Sequence, residues 1–249
     1  MFPIRDHNPS GRTAYVTWAL IAANVVIFLA YWLPLSGDEQ ALGQFFLTWG
    51  LVPADLTQGG AVGGLVTSMF LHGGWMHLAG NMLFLWIFGD NLEDTLGHLG
   101  FALFYLVSGL GAAALQVAMD PGSPIPMVGA SGAIAGVMGG YILLFPKARV
   151  DVLVIFLIFF RIFAIPAWIV LGLWFALQIG GGLATPTDAG GVAYWAHAGG
   201  FVTGLLLALR AWARRGGTGF WARTEGHPAH APAQYRFDAS RVPVVRRRR

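Results

Sequence analysis

The stretch MVGASGAIAGVMGGY, residues 127–141, decides how the chain is read. It is apolar enough to begin a membrane-buried helix. Its one hydroxyl before the tyrosine, Ser131, stands among Gly129, Ala130, Gly132 and Ala133. Gly132, Gly136 and Gly140 form a small-xxx-small stripe beside the serine, the pattern that lets lipid-embedded helices bring their backbones close together. Ala196, Gly200 and Gly204 repeat the device beside His197. If these two helices touch, Ser131 and His197 fall within hydrogen-bond reach, about 2.6–3.2 Å.

Outward from this stretch the composition points to a membrane. Of 249 residues, 56% are hydrophobic and only 11% charged, where a soluble domain carries about a quarter. So few charges cannot solvate a soluble surface, and the expected class is an all-α polytopic membrane protein. There is no cysteine, which excludes disulfides, thiolate catalysis and Cys-based metal sites. The net charge of +3 is unevenly spread. No Lys or Arg occurs between Arg12 and Lys147, and the basic residues gather at the N-terminus, at Lys147, Arg149 and Arg161, and from Arg210 onward. That is a topology signal rather than a nucleic-acid patch.

A spanning helix needs about 20 mostly apolar residues, and six are expected: 15–33, 65–88, 99–119, 129–145, 166–179 and 192–212. No small-x-small cleavage site follows the first, so it is read as an uncleaved helix. Residues 36–64 form a long polar and Gly-rich connection whose apolar pieces, such as FFLTWGLV, suit the interface. GDNLEDTLGH, residues 89–98, reads as an acidic turn. VLVIFLIFF, residues 152–160, is too short to span and is expected to be interfacial or re-entrant. The expected organisation is a cytoplasmic segment 1–14, a membrane domain 15–213, and a cytoplasmic, Arg-rich, disordered tail 214–249. Six spans put both termini and the basic clusters on one side, the cytoplasm. The connections at 36–64, 120–128 and 181–191 then face outward.

Polar side chains inside spans are costly and usually face a cavity or the bundle interior. Four stand out: His77 and Asn81, Ser131, and His197. They lie early in three helices that run in the same direction, so they are expected at similar depth. His77 and Asn81 are i, i+4 and share a face. Taken singly, each has a structural explanation: a serine bonded to its own helix, a packed histidine, an asparagine joining two helices. Their convergence favours chemistry. His72 lies about 140° around the helix from His77 and is assigned to closing the start of the second span. His7, His98, His227 and His230 are read as solvated.

HGGWMHLAGNMLFLWIFGDNLEDTLGH, GASGAIAG and AHAGGFVTG, on separate spans in that order, resemble the rhomboid family of intramembrane serine proteases. PIRDHNPSG and IPAWIVLGLWFALQ are similar to its bacterial members. The likeness covers roughly residues 1–213. It implies a six-helix bundle with a long first extracytoplasmic loop, located in the cell membrane. It also implies a Ser–His dyad, with Ser131 as nucleophile and His197 as general base. His77, Asn81 and the backbone at Gly129 and Ser131 are implied to bind the oxyanion and substrate. The implied partners are the lipid bilayer and single-span or multi-span membrane-protein substrates, with no nucleic acid, cofactor or metal. The Gly-rich 181–191 connection and the start of the fifth span are implied to cap and gate the site. Two positions depart from the pattern. Ala135 stands where some members stack an aromatic on the catalytic histidine, so His197 has to be oriented otherwise. The first loop has Trp49 but no arginine beside it.

No Asp or Glu is expected in the core spans to orient His197, so a dyad fits better than a triad. The competing readings are an inactive rhomboid-like protein that binds or chaperones membrane helices, and a His-lined proton or metal conduit. An intramembrane metalloprotease would need HExxH and an aspartyl one two buried aspartates, and neither occurs.

Overall fold

The computed structural model describes residues 2–60, 62–156, 159–186, 191–224 and 226–227. Six long or apolar helices form one bundle: α1 (Tyr15–Leu35), α5 (Trp75–Leu96), α6 (His98–Met119), α7 (Ser131–Leu144), α8 (Ala167–Ala184) and α9 (Tyr194–Arg214). Between α1 and α5 lie three short helices, α2 (Glu39–Trp49), α3 (Pro53–Thr57) and α4 (Gly64–Thr67). Among the described residues, α1, α6 and α8 are long and apolar enough to cross a membrane by length and composition. α7 is apolar but only 14 residues long. The last turns of α5 and α9 carry charge: Asp90, Glu93 and Asp94 in one, Arg210 and Arg214 in the other.

α7 is the centre of the bundle, with ten consecutive buried residues from Gly132 to Tyr141. It packs most closely on α9. A Cβ added at Gly200 would strike the carbonyl oxygen of Gly132, one at Gly204 that of Gly136, and one at Gly139 the carbonyl of Phe201. The two helices therefore meet backbone to backbone, as the stripes predict. The stripe on α7 has a second use. The Cα atoms of Gly132 and Gly136 turn to Ala112 and Ser108 of α6, so one row of glycines seats α7 between two neighbours.

The second helix begins later than expected, at Trp75 rather than residue 65. Residues 64–70 form α4 and a 3-10 turn, and the chain is extended at Leu71. The Tyr31 hydroxyl takes up both backbone groups of His72, accepting its N–H and donating to its carbonyl, each at 2.7 Å. That withdraws His72 from any helical ladder, and Gly73–Gly74 adds two poor helix formers. At its other end α5 runs through the expected acidic turn to Leu96. Glu93 is 1% exposed, yet it is well satisfied. It accepts from the Val16 and Thr17 N–H groups and the Thr17 hydroxyl at 2.7–2.8 Å, and pairs with His98. A carboxylate thus caps the N-terminus of α1, which has no cap of its own, in the position the helix dipole favours. His98 is accordingly a hydrogen-bond partner of Glu93 rather than simply solvated.

Residues 152–156 and 159–160 of VLVIFLIFF are β-strand. β2 (Arg149–Phe156) and β3 (Phe159–Pro166) pair antiparallel, and β1 (Phe2–Asp6) adds to the far edge of β2 in the order β1–β2–β3. The run is rich in β-branched and aromatic residues; its first five residues pair with Phe159–Phe163 on one side, and Val152 and Leu153 pair with Pro3 and Phe2 on the other. Asp151 of β2 joins the strands by accepting from Arg5 at 2.7 Å and pairing with His7 at 2.8 Å. Burial raises its pKa, but the hydrogen bonds and charges of His7 and Arg5 outweigh this and hold the carboxyl below its ordinary value. His7 is therefore also partnered. The N-terminal segment is part of the fold, and so is the start of the tail. Thr218–Thr224 form α10, and the indole of Trp221 donates to the Leu143 carbonyl at 3.0 Å. Residues 228–249, including His230 and the terminal arginines, lie outside the described residues.

These contacts put the sheet, the end of α7, the start of α8 and the end of α9 together. The starts of α5, α7 and α9 lie at the opposite end of the bundle. There the connections clasp each other: Leu51 and Met127 exchange backbone bonds of 3.0 and 2.8 Å, and Thr57 donates to the Pro121 carbonyl at 2.9 Å.

Candidate active site

Ser131 is the first residue of α7. A residue there has backbone N–H groups around it with no carbonyl one turn earlier to accept them. The chain reaches it through Gly129, whose φ of +136° suits glycine. An added Cβ at Gly129 would lie 2.9 Å from Nε2 of His77 and 3.4 Å from the Ser131 hydroxyl. The Gly129 N–H is tied to the Ser68 carbonyl at 2.9 Å. Glycine thus serves twice here, for conformation and for room.

The hydroxyl of Ser131 is 2.8 Å from Nε2 of His197. His197 lies in the first turn of α9, whose start is fixed by Gln116 of α6, accepting the Ala196 N–H at 3.1 Å. The other nitrogen, Nδ1, is 2.8 Å from Oε1 of Gln178 on α8. The ring of Trp174, one turn earlier on α8, lies 5.6 Å from the imidazole at 36°. Gln178 and Trp174 are therefore what His197 touches in place of an aromatic at Ala135, which is itself buried in the core. The sequence offered one clue: WFALQ puts a costly glutamine on an otherwise apolar helix, one turn after a tryptophan.

His77 and Asn81 sit in the first two turns of α5. The Gly73 N–H donates to Nδ1 of His77 at 3.3 Å, so the neutral ring carries its hydrogen on Nε2, the atom lying against Gly129. Asn81 is 8% exposed, and its amide nitrogen has no hydrogen-bond partner among the described residues. Among the described residues, neither the Asn81 amide nitrogen nor Nε2 of His77 has an acceptor. They line a cavity of about 460 Å³ with Ser131, Trp174 and His197. All five residues expected at the site, Ser131, His197, His77, Asn81 and Gly129, are thus adjacent. His72 is not in this wall; it is fully buried, with its ring 5.1 Å from that of His77. Of the expected 181–191 cap, 181–184 continue α8, Gly191 lines the cavity, and 187–190 lie outside the described residues. Among the described residues, no group of three or more His, Asp or Glu is placed to hold a metal ion.

A hydroxyl on an imidazole, facing two vacant donors across a cavity, is an arrangement for acyl transfer. The chain is similar in sequence to several known proteins. The chain is 40% identical over 106 residues to RHOMBOID-like protein 6, mitochondrial, of Arabidopsis thaliana, covering 43% of this chain and 32% of that protein. It is 29% identical over 202 residues to Rhomboid protein 1, mitochondrial, of Saccharomyces cerevisiae, covering 77% and 51%. It is 33% identical over 123 residues to Rhomboid protease GluP of Bacillus subtilis, covering 49% and 23%. The chain thus spans between about a quarter and a half of the length of these relatives. The family model described as the Rhomboid domain matches residues 59–214, a segment that holds every residue of the site, and the chain belongs to the rhomboid family.

Proposed function

We propose that the protein is an intramembrane serine endopeptidase that cleaves membrane-spanning segments of other proteins. The observation that carries this is the 2.8 Å contact between the Ser131 hydroxyl and Nε2 of His197 at the wall of an open cavity. A serine hydroxyl is a weak nucleophile until a base takes its proton. His197 takes it as Oγ attacks the scissile carbonyl, then returns it to the amine as the C–N bond breaks. Water repeats the sequence on the acyl-enzyme. Negative charge develops on the former carbonyl oxygen. Nε2–H of His77, the Asn81 amide and the N–H groups at the start of α7 are aimed at that region, each worth roughly 3 kcal/mol in a water-poor site.

The depth of the site follows from helix length. Fourteen residues of α7 make about 21 Å, short of the roughly 30 Å of hydrocarbon. A helix that reaches the sheet side therefore starts below the opposite face, and Ser131 lies within the membrane's depth. The cavity gives water its path. A substrate helix hides its carbonyls in i→i−4 bonds, so it must unwind locally to be cut. Arg5, Arg12, Lys147, Arg149, Arg210 and Arg214 lie toward the sheet end of the bundle, and by the positive-inside rule this supports the reading of that end as the cytoplasmic side. The cell membrane is the proposed location.

The test is cleavage of a single-span substrate by the purified full chain, alongside Ser131→Ala and His197→Ala. Each substitution is expected to abolish turnover while leaving the thermal transition in place. Undiminished cleavage by Ser131→Ala would refute the assignment. Substrate binding without turnover in the wild type would instead mean a helix-binding protein.

A further inference from the structure

The two nitrogens of His197 need different states for this chemistry. Nε2 must be bare to receive the Ser131 proton, so Nδ1 must carry the hydrogen, and a buried N–H needs an acceptor. In a triad a carboxylate supplies it. Among the described residues, no Asp or Glu pairs with His197.

Gln178 stands in that place, 8% exposed, with Oε1 2.8 Å from Nδ1. Its other end is also fixed, because Nε2 of the amide donates to the Trp174 carbonyl at 3.2 Å. A carbonyl can only accept, so the amide nitrogen belongs on that side and the amide oxygen faces the imidazole. An amide oxygen in turn can only accept, which places the hydrogen on Nδ1. The tautomer needed for a general base follows from two hydrogen bonds and one peptide carbonyl.

We propose that Gln178 is the positioning residue of the site: its side-chain oxygen holds His197 in the Nδ1–H tautomer and leaves Nε2 free for the Ser131 proton. This rests on the protease reading above. Through the cycle one proton moves from Oγ to Nε2 and on to the leaving amine. The Nδ1 hydrogen stays where it is, donated to Gln178. Because the amide is neutral, the imidazolium meets a dipole rather than a charge. Gln178 belongs to α8 while its client belongs to α9, so the seating of α8 on α9 sets the tautomer.

The experiment uses the full chain in detergent with a single-span substrate. Gln178→Met keeps the length and removes the acceptor. It is expected to lower kcat about 100-fold with KM and the thermal transition unchanged, less than the roughly 10⁴-fold carried by a charged triad carboxylate. Gln178→Glu restores an acceptor and adds charge. Its kcat is expected within about tenfold of wild type, with the acidic limb of kcat/KM moved to higher pH because a carboxylate favours the imidazolium. Nitrogen NMR of labelled histidine reads the tautomer directly: Nδ1–H in wild type, a mixture in Gln178→Met. That readout needs no turnover. A wild type that cleaves nothing while His197 remains Nδ1–H would defeat the protease reading and leave the positioning role standing. An unchanged kcat in Gln178→Met, an unmoved acidic limb in Gln178→Glu, or an Nε2–H tautomer in the wild type would each overturn the proposal.

Discussion

At Gly129 a single missing methyl connects backbone conformation to chemistry. The residue has φ +136° and lies against the ring of His77, so Gly129→Ala both strains the chain and pushes the ring off its place. We expect it to cut kcat at least about 100-fold, as for loss of one oxyanion donor, with a smaller proportional change in KM. Asn81→Ala, which removes an unpaired buried donor without introducing bulk, is expected to lower kcat about 100- to 1,000-fold and to leave the thermal transition unchanged or slightly raised. Steady-state kinetics with scanning calorimetry separates these outcomes. Ser131, His197, His77 and Asn81 were legible in the sequence because polar side chains inside apolar helices are rare enough to be conspicuous. The roles of Gln116 and Gln178 were not, because an amide's role depends on which neighbour it reaches, and both neighbours come from other helices.

Between elements, the meeting of α7 with α9 holds Ser131 to His197. Gly200 faces a carbonyl oxygen of α7 rather than a side chain, so the backbone itself must move to admit a larger residue. Gly200→Val is expected to cost about 3 kcal/mol or more, the upper range for overpacking, and to abolish labelling of Ser131 by a fluorophosphonate. Gly172, with nothing within 4 Å of an added Cβ, should accept alanine with no loss of either. Glu93 binds α5 to the start of α1 through two backbone N–H groups. Glu93→Gln is expected to cost about 1–3 kcal/mol, the range for charge-assisted bonds. Thermal unfolding in detergent checks both. The misplaced boundaries of α5 have a common cause: Tyr31 at one end and the N-terminus of α1 at the other satisfy groups that local sequence leaves unsatisfied.

Across the whole molecule, the N-terminal strand is coupled to α7, the helix that carries Ser131. The hydroxyl of Tyr141, ten residues after Ser131, donates to Asp6 of β1 at 2.6 Å. Burial, reinforced by nearby Asp90 and only partly offset by the Tyr141 hydrogen bond, raises the Asp6 pKa from 3.8 to about 7. Between those values the folded protein holds a proton that the unfolded chain has released. Stability therefore falls as pH rises from about 4 to about 7 and levels off above, since ∂ΔG/∂pH follows the difference in bound protons. Asp6→Asn should lack this slope, so its thermal midpoint relative to wild type should rise as pH goes from about 4 to about 7 and level off above. A difference that grows toward low pH with the opposite sign would show that Asp6 is ionised in the fold.

By itself the sequence determined the membrane setting, the six-helix count and the shared end of the key side chains. Each of these follows from hydropathy, charge placement and helical spacing, which are local properties of the chain. Tertiary structure decided the three-stranded sheet, the full extent of α5, the contact of His98 with Glu93 and the acceptor behind His197. For β1 on β2, Tyr31 on His72 and Gln178 on His197, a polar or backbone group is satisfied by a residue of another element, which no local pattern records. The β2–β3 hairpin and the Glu93–His98 contact are close in sequence but depend on side-chain and strand placement that hydropathy does not show.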